Sequence, residues 1–141
     1  MRRILPLVIA AVTILPGAAP AQNAARKLVA VPAPNHDPLF IDMASVQRHR
    51  ANVTFKYVLD VFVDLEGKSG WKSNEVEAII DCSQKTFTVR RVVAYPGPRA
   101  TGNATGVHSF MAPAPKPEKI APQSTFAHLE DHLCRSAEVK G

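Results

Sequence analysis

The sequence predicts an α+β fold, a small antiparallel β-sheet of hairpins with one C-terminal helix packed on it and tethered by a disulfide. Three observations predict it. Residues 75–95, EVEAIIDCSQKTFTVRRVVAY, alternate apolar and polar side chains on either side of a polar turn, as a half-buried hairpin does. Residues 124–138, STFAHLEDHLCRSAE, instead space Phe126, Leu129, Leu133 and Ala137 three or four apart, the stripe of an amphipathic helix. The two cysteines are Cys82, on the inward side of the first hairpin arm, and Cys134, beside the helix stripe. Packing that stripe on the sheet brings them together, and closing so long a loop stabilises a fold by about 4 kcal/mol in the chain-entropy model.

In chain order, residues 1–21 read as an export signal. Arg2 and Arg3 make the positive start, residues 4–15 are apolar, and Ala19-Pro20-Ala21 supplies the small residues of a cleavage site. Cleavage there leaves 120 of the 141 residues, expected to form one domain over 22–141. The apolar run is short and interrupted by Pro6 and Pro16, and no later stretch has the length of a transmembrane segment. No cysteine stands near the cleavage point to carry a lipid anchor.

Residues 27–31 read as an edge strand stopped by Pro32 and Pro34, Asp37-Pro38 as a turn, and residues 39–42 as a short strand. Residues 43–48 read as a turn or brief helix. The long strand is ANVTFKYVLDVFVD, 51–64, with Val53, Phe55, Tyr57, Leu59, Val61 and Val63 on one face. Val58 and Phe62 interrupt its polar face, so part of that face is expected to be covered too. Residues 66–74, EGKSGWKSN, read as a Gly- and Ser-rich loop. Within the hairpin, setting Cys82 opposite Phe87 leaves 83–86 as the turn, Ile80 opposite Val89 and Val76 opposite Val93. Arg91 breaks the pattern. Residues 96–122 hold six prolines and form an extended connection with a short strand at 107–111, and Ser124 is the expected N-cap of the helix.

With these elements in order, the sequence resembles the surface-adhesin protein E family over residues 39–135. The resemblance rests on the Ile41-Asp42 and Ser45-Val46 pairs, Ser73, Ile80-Asp81-Cys82, Tyr95, Ser124 and Leu133-Cys134. It implies a sheet with a C-terminal helix tied to it through Cys82 and Cys134. It also implies an envelope protein whose relatives bind host matrix and plasma proteins, without enzymatic activity. Those relatives are typically lipid-anchored, and this sequence departs from them there.

Composition narrows the partner classes. Removing Arg2 and Arg3 leaves 15 Lys and Arg against 12 Asp and Glu, so the net charge falls from +5 to +3, too mild for a nucleic-acid binder. Two cysteines behind an export signal point to a structural bridge rather than thiol or metal chemistry, and they lack a CxxC spacing. His128 and His132, four apart beside Cys134, have the spacing of a metal site but lie on the helix side away from the apolar stripe, so no metal or other cofactor is assigned. No serine sits in a nucleophile motif, and no catalytic residue is assigned.

The expectation is an exported binding module, periplasmic or at the cell surface, with a protein or an anionic surface as partner. Its candidate contact residues are Trp71, Lys72, Lys85 and Arg90: an aromatic flanked by cations, and a basic outer face on the hairpin. Arg91 is expected to snorkel or to pair with an acid. A periplasmic accessory protein acting on envelope components is the second reading, and a small hydrolase or metal binder the third. The unpaired edges at 27–31 and 107–111 offer a route to a homodimer.

Overall fold

Period-two alternation dominates residues 39–95, and the result is one antiparallel sheet. The computed structural model describes residues 25–32, 39–65, 68–110 and 115–135. Among them are β1 (Leu28–Val31), β2 (Leu39–His49), β3 (Asn52–Leu65), β4 (Lys68–Asp81), β5 (Thr86–Tyr95), β6 (Gly106–Ser109) and β7 (Glu118–Lys119), followed by α1 (Thr125–Arg135). Strands β1 to β6 lie side by side in chain order, and β7 pairs with the other end of β5. The expected export signal and the turn at Asp37-Pro38 lie outside the described residues.

One face of the sheet carries the core. Ile41 on β2, Phe55 on β3, Ala78 and Ile80 on β4, and Leu129 and Leu133 on α1 are all buried. The helix stripe lands where the sequence places it, and each fully buried leucine contributes about 2 kcal/mol. Phe126 stacks on Phe87 at 3.7 Å between ring centres and meets Tyr57 edge-on at 6.0 Å. Each helix end has a side-chain partner. Ser124 Oγ accepts the Ala127 N–H at 3.2 Å, and the Arg48 guanidinium donates to the Leu133 carbonyl. The Cys82–Cys134 disulfide, with Cα atoms 5.8 Å apart, joins the end of β4 to the last turn of α1 across 52 residues.

Four expectations are corrected. Residues 43–48 are strand, because β2 continues to His49 past an irregularity between Asp42 and Gln47. The stretch expected as a loop at 66–74 is largely strand, with β4 starting at Lys68 and pairing with β3 as far as Leu65↔Lys68. The hairpin register is two residues off: Ile80, not Cys82, lies opposite Phe87, so the turn is 82–85. The pairing then slips by one residue, from Ala78↔Val89 to Glu77↔Arg91, leaving Arg90 as the extra residue of a β-bulge. Val76 therefore faces Val92, and Val93 turns to the opposite face. The slip answers the broken pattern at Arg91. In the proline-rich connection the strand forms at Gly106–Ser109, a 3₁₀ turn forms at Pro98–Ala100, and β7 was not anticipated.

Candidate functional site

The helix-free face of the sheet is polar, and two bulges curl it. On β2 the irregularity is stitched by side chains that replace missing ladder bonds. Asp42 Oδ1 accepts the N–H groups of Lys27 at 2.9 Å and Ala44 at 3.1 Å. Ser45 Oγ donates to the Asp42 carbonyl at 2.7 Å and accepts the Lys56 N–H at 2.8 Å. With the β5 bulge, this bends the sheet far enough for Arg26, ahead of β1, to reach β4 and β5 across the concave side. Its Nε donates to Glu75 Oε2 at 2.6 Å and a terminal nitrogen to the Tyr95 hydroxyl at 3.0 Å. Burial works against the Arg26 charge, but Glu75 and Tyr95 outweigh it and raise the guanidinium pKa above its ordinary value.

One end of this face is closed. Val58 is fully buried and Glu75 nearly so, beneath the segment that follows β5. Ser73 Oγ pins that segment, donating to the Gly97 carbonyl at 2.6 Å and accepting the Ala100 N–H at 2.8 Å. Asp60 accepts the Arg99 N–H at 2.6 Å, holding Arg99 and Ala100 in the left-handed region at φ 52° and 55°. Gly97 is required here, because a Cβ would stand 2.3 Å from Thr101 Oγ1.

The rest of the face is an open cleft of about 500 Å³ to which β2 to β5 contribute side chains, bounded by Arg26 and Val107. Across its floor the register sets Asp42 beside Lys56, Lys56 beside Glu77, and Glu77 beside Arg91, charges alternating in sign over four strands. Asp42 is buried and occupied by backbone donors, while Lys56 is partly exposed and also stands 3.7 Å from Glu75. Arg91 is exposed. The floor is thus close to neutral in sum and rich in donors and acceptors, a surface suited to a partner of mixed charge.

The residues singled out in the sequence do not form one face. Lys72 is exposed beside Val61 near the β3–β4 tip, and Lys85 occupies the β4–β5 turn, about 30 Å away at strand rise. Lys85 is itself 4.0 Å from Glu130. The Trp71 backbone pairs with Phe62 within the sheet rather than lying in a loop, and its side chain lies outside the described part. Arg90, half-buried, adjoins the cleft through Arg91. Arg91 has Glu77 as its cross-strand neighbour. On α1 His132 is exposed and His128 half-buried, and Cys134 is committed to the disulfide. Sequence reasoning missed Arg26, Glu75, Lys56 and Glu77. The one signal for Lys56, Glu75 and Glu77 was the run of charges at alternate strand positions; Arg26 had none.

A curled antiparallel sheet with one face sealed by a disulfide-held helix and the other left as an open polar cleft defines a small binding scaffold. The family model for surface-adhesin protein E matches residues 28–135, and the chain belongs to that family. No curated protein sequence matches it. Among solved structures it is similar to protein E of Haemophilus influenzae, at 18% identity and a TM-score of 0.56 over 84% of this chain and 91% of that one. A structure of protein E from non-typeable Haemophilus influenzae aligns at 18% identity and a TM-score of 0.55, over 87% and 84% of the two chains. A selenomethionine form of that protein aligns at 20% and 0.53, over 84% and 93%. These likenesses establish the fold. Family membership supports a surface adhesin and implies an exported or cell-surface protein; among the described residues no helix is long and apolar enough to cross a membrane.

Proposed function

We propose that the chain is an exported, non-enzymatic binding module that holds a protein partner on the open cleft of its helix-free face. The alternating row Asp42, Lys56, Glu77, Arg91 carries this reading, because it lines an open cleft, with Lys56, Glu77 and Arg91 accessible there, where the opposite face is sealed. A sequence of opposite charges fixes the register of a mixed-charge partner better than it attracts a polyanion. Lys56, Glu77 and Arg91 make the contacts, with Arg90 beside them on the bulge. Trp71 with Lys72, and Lys85, form two separate patches to be tested on their own.

The test is binding of the purified chain to two immobilised mixtures, extracellular-matrix proteins and detergent-extracted envelope proteins of the source cell, followed by surface plasmon resonance. Reversing Arg91→Glu should weaken whichever binding is seen at least tenfold, and adding Glu77→Arg should restore part of it. Unchanged binding in Arg91→Glu, with loss in Lys72→Ala or Lys85→Ala, would move the contact away from the cleft. Retention by the envelope fraction alone would favour an accessory role inside the envelope. Protease treatment of intact cells then separates surface display from a periplasmic location.

A further inference from the structure

The sheet has two edges, and they are built differently. At one edge β1 is four residues long, ends in buried Val31 and runs into Pro32, which cannot donate a ladder bond. The clasp of Arg26 on Glu75 fixes its start. These are the usual guards against unwanted strand pairing. At the other edge lies β6, equally short, but without a buried end, a proline or a side-chain clasp.

All four residues of β6, Gly106-Val107-His108-Ser109, are exposed, and the strand contains no proline, lysine or acid. The Phe110 N–H donates to the Arg90 carbonyl at 2.9 Å, which fixes the phase of the ladder. In an antiparallel pair alternate residues bond to the same neighbour, so His108 and Phe110 point their backbone groups at β5, while Val107 and Ser109 turn theirs outward. No described residue bonds to those outward groups. Val107 is 56% exposed and Phe110 37%, two of the three large apolar side chains exposed among the described residues. Val107 lies opposite Val93 and lines the rim of the cleft, while His108 and Phe110 pack together at 4.4 Å on the helix-bearing side.

We propose that β6 is an acceptor edge, at which an extended segment of another protein adds as a further strand. The outward N–H and C=O groups of Val107 and Ser109 state the chemistry of the occupant, since only an extended backbone presents matching groups at strand spacing. The exposed side chains state the rest. The added strand sets a β-branched residue or an aromatic against Val107 on the cleft side, and an apolar residue against His108 and Phe110 on the other. This rests on the reading that the partner is a protein and goes beyond it by naming the mode: a strand on β6 continues the floor of the cleft past Arg91.

The probe is a synthetic peptide with the sequence of residues 86–95, TFTVRRVVAY, which already complements β6 from within the sheet. Amide hydrogen exchange, resolved by residue on the full chain, should show fast exchange at Val107 and Ser109 in the free protein. With the peptide at millimolar concentration both should slow at least tenfold, while amides on β1 stay unchanged. Val107→Pro removes an outward N–H without touching the β5 ladder, so it should abolish the protection and leave the thermal unfolding midpoint within a few degrees. No slowing at Val107 and Ser109 overturns the proposal. Slowing that follows protein concentration with no peptide present also overturns it, because the edge then belongs to a second copy. Arg91→Glu should leave peptide protection intact, so failure of the cleft reading and failure of the edge reading are told apart.

Discussion

The two faces of the sheet are made from the same strands and solve opposite problems. On the helix-bearing side, Phe55, Ile80, Leu129 and Leu133 exclude water almost completely, and Cys82–Cys134 ties the cover down. On the other side the same strands present Lys56, Glu77 and Arg91 to an open cleft, sealed only at the end where Ser73 and Gly97 pin the post-β5 segment. Burial of apolar area stabilises; alternating charge in water contributes little and selects. On the proposed reading, stability and recognition in this chain separate by face.

That separation can be broken, and the largest effect should come from the clasp. Replacing both Cys82 and Cys134 with serine should cost about 2–5 kcal/mol of unfolding free energy, read by urea denaturation with and without reductant. Reductant should move the native chain to the position of the variant and leave the variant unmoved. Next comes the packing beneath the clasp. Leu129→Ala should cost about 2–5 kcal/mol, since Leu129 is fully buried and its removal leaves a cavity in the core. Neither change should alter contacts made by Arg91.

On the opposite face, Arg26→Ala should cost less, about 1–2 kcal/mol. It strips one partner from the nearly buried Glu75 while Lys56 remains 3.7 Å away. A loss as large as that of Leu129→Ala would show the helix-free face to be a second core rather than a working surface. By contrast Arg91→Ala should change the unfolding free energy by less than about 0.5 kcal/mol, as an exposed charge does. A larger loss there would blur the division between the faces.

What the sequence disclosed follows the same line. The core face was legible because a sealed surface demands apolar side chains at fixed periods, which gave the stripe of Phe126, Leu129 and Leu133 and the pairing of Cys82 with Cys134. The helix-free face was not, because its shape comes from bulges. One extra residue at Arg90 swings Val92 into the core and Val93 out of it, and no periodicity announces such a slip. Arg26 and Glu75 are 49 residues apart and meet only because the sheet curls. Several residues that carried the family resemblance turn out to be pins: Asp42 and Ser45 stitch β2, Ser73 holds Gly97 and Ala100, and Ser124 caps α1. Each satisfies backbone groups where regular structure stops, a role that identifies a fold and is silent about a partner.

The smallest effect belongs to Asp81, where the β4–β5 turn begins. Its carboxylate accepts the Ser83 hydroxyl at 2.7 Å and the N–H groups of Ser83 and Gln84 at 2.9 Å each. The Ser83 hydroxyl foremost, then those backbone donors, hold the Asp81 pKa below its ordinary value. A carboxylate depressed in the folded state stabilises the fold fully above its unfolded pKa, about 3.9 for Asp, and that stabilisation disappears as pH falls through the lower folded value. Asp81→Asn should therefore lower the unfolding midpoint slightly at pH 7 and have still less effect at pH 2, where the native carboxyl is also neutral. The measurement is urea denaturation of both proteins at the two pH values. Because Asp81 is solvated, the difference at pH 7 should be smaller than that of Arg26→Ala. A gap between the two proteins that widened toward pH 2 would mean that the turn is held by something other than the charge.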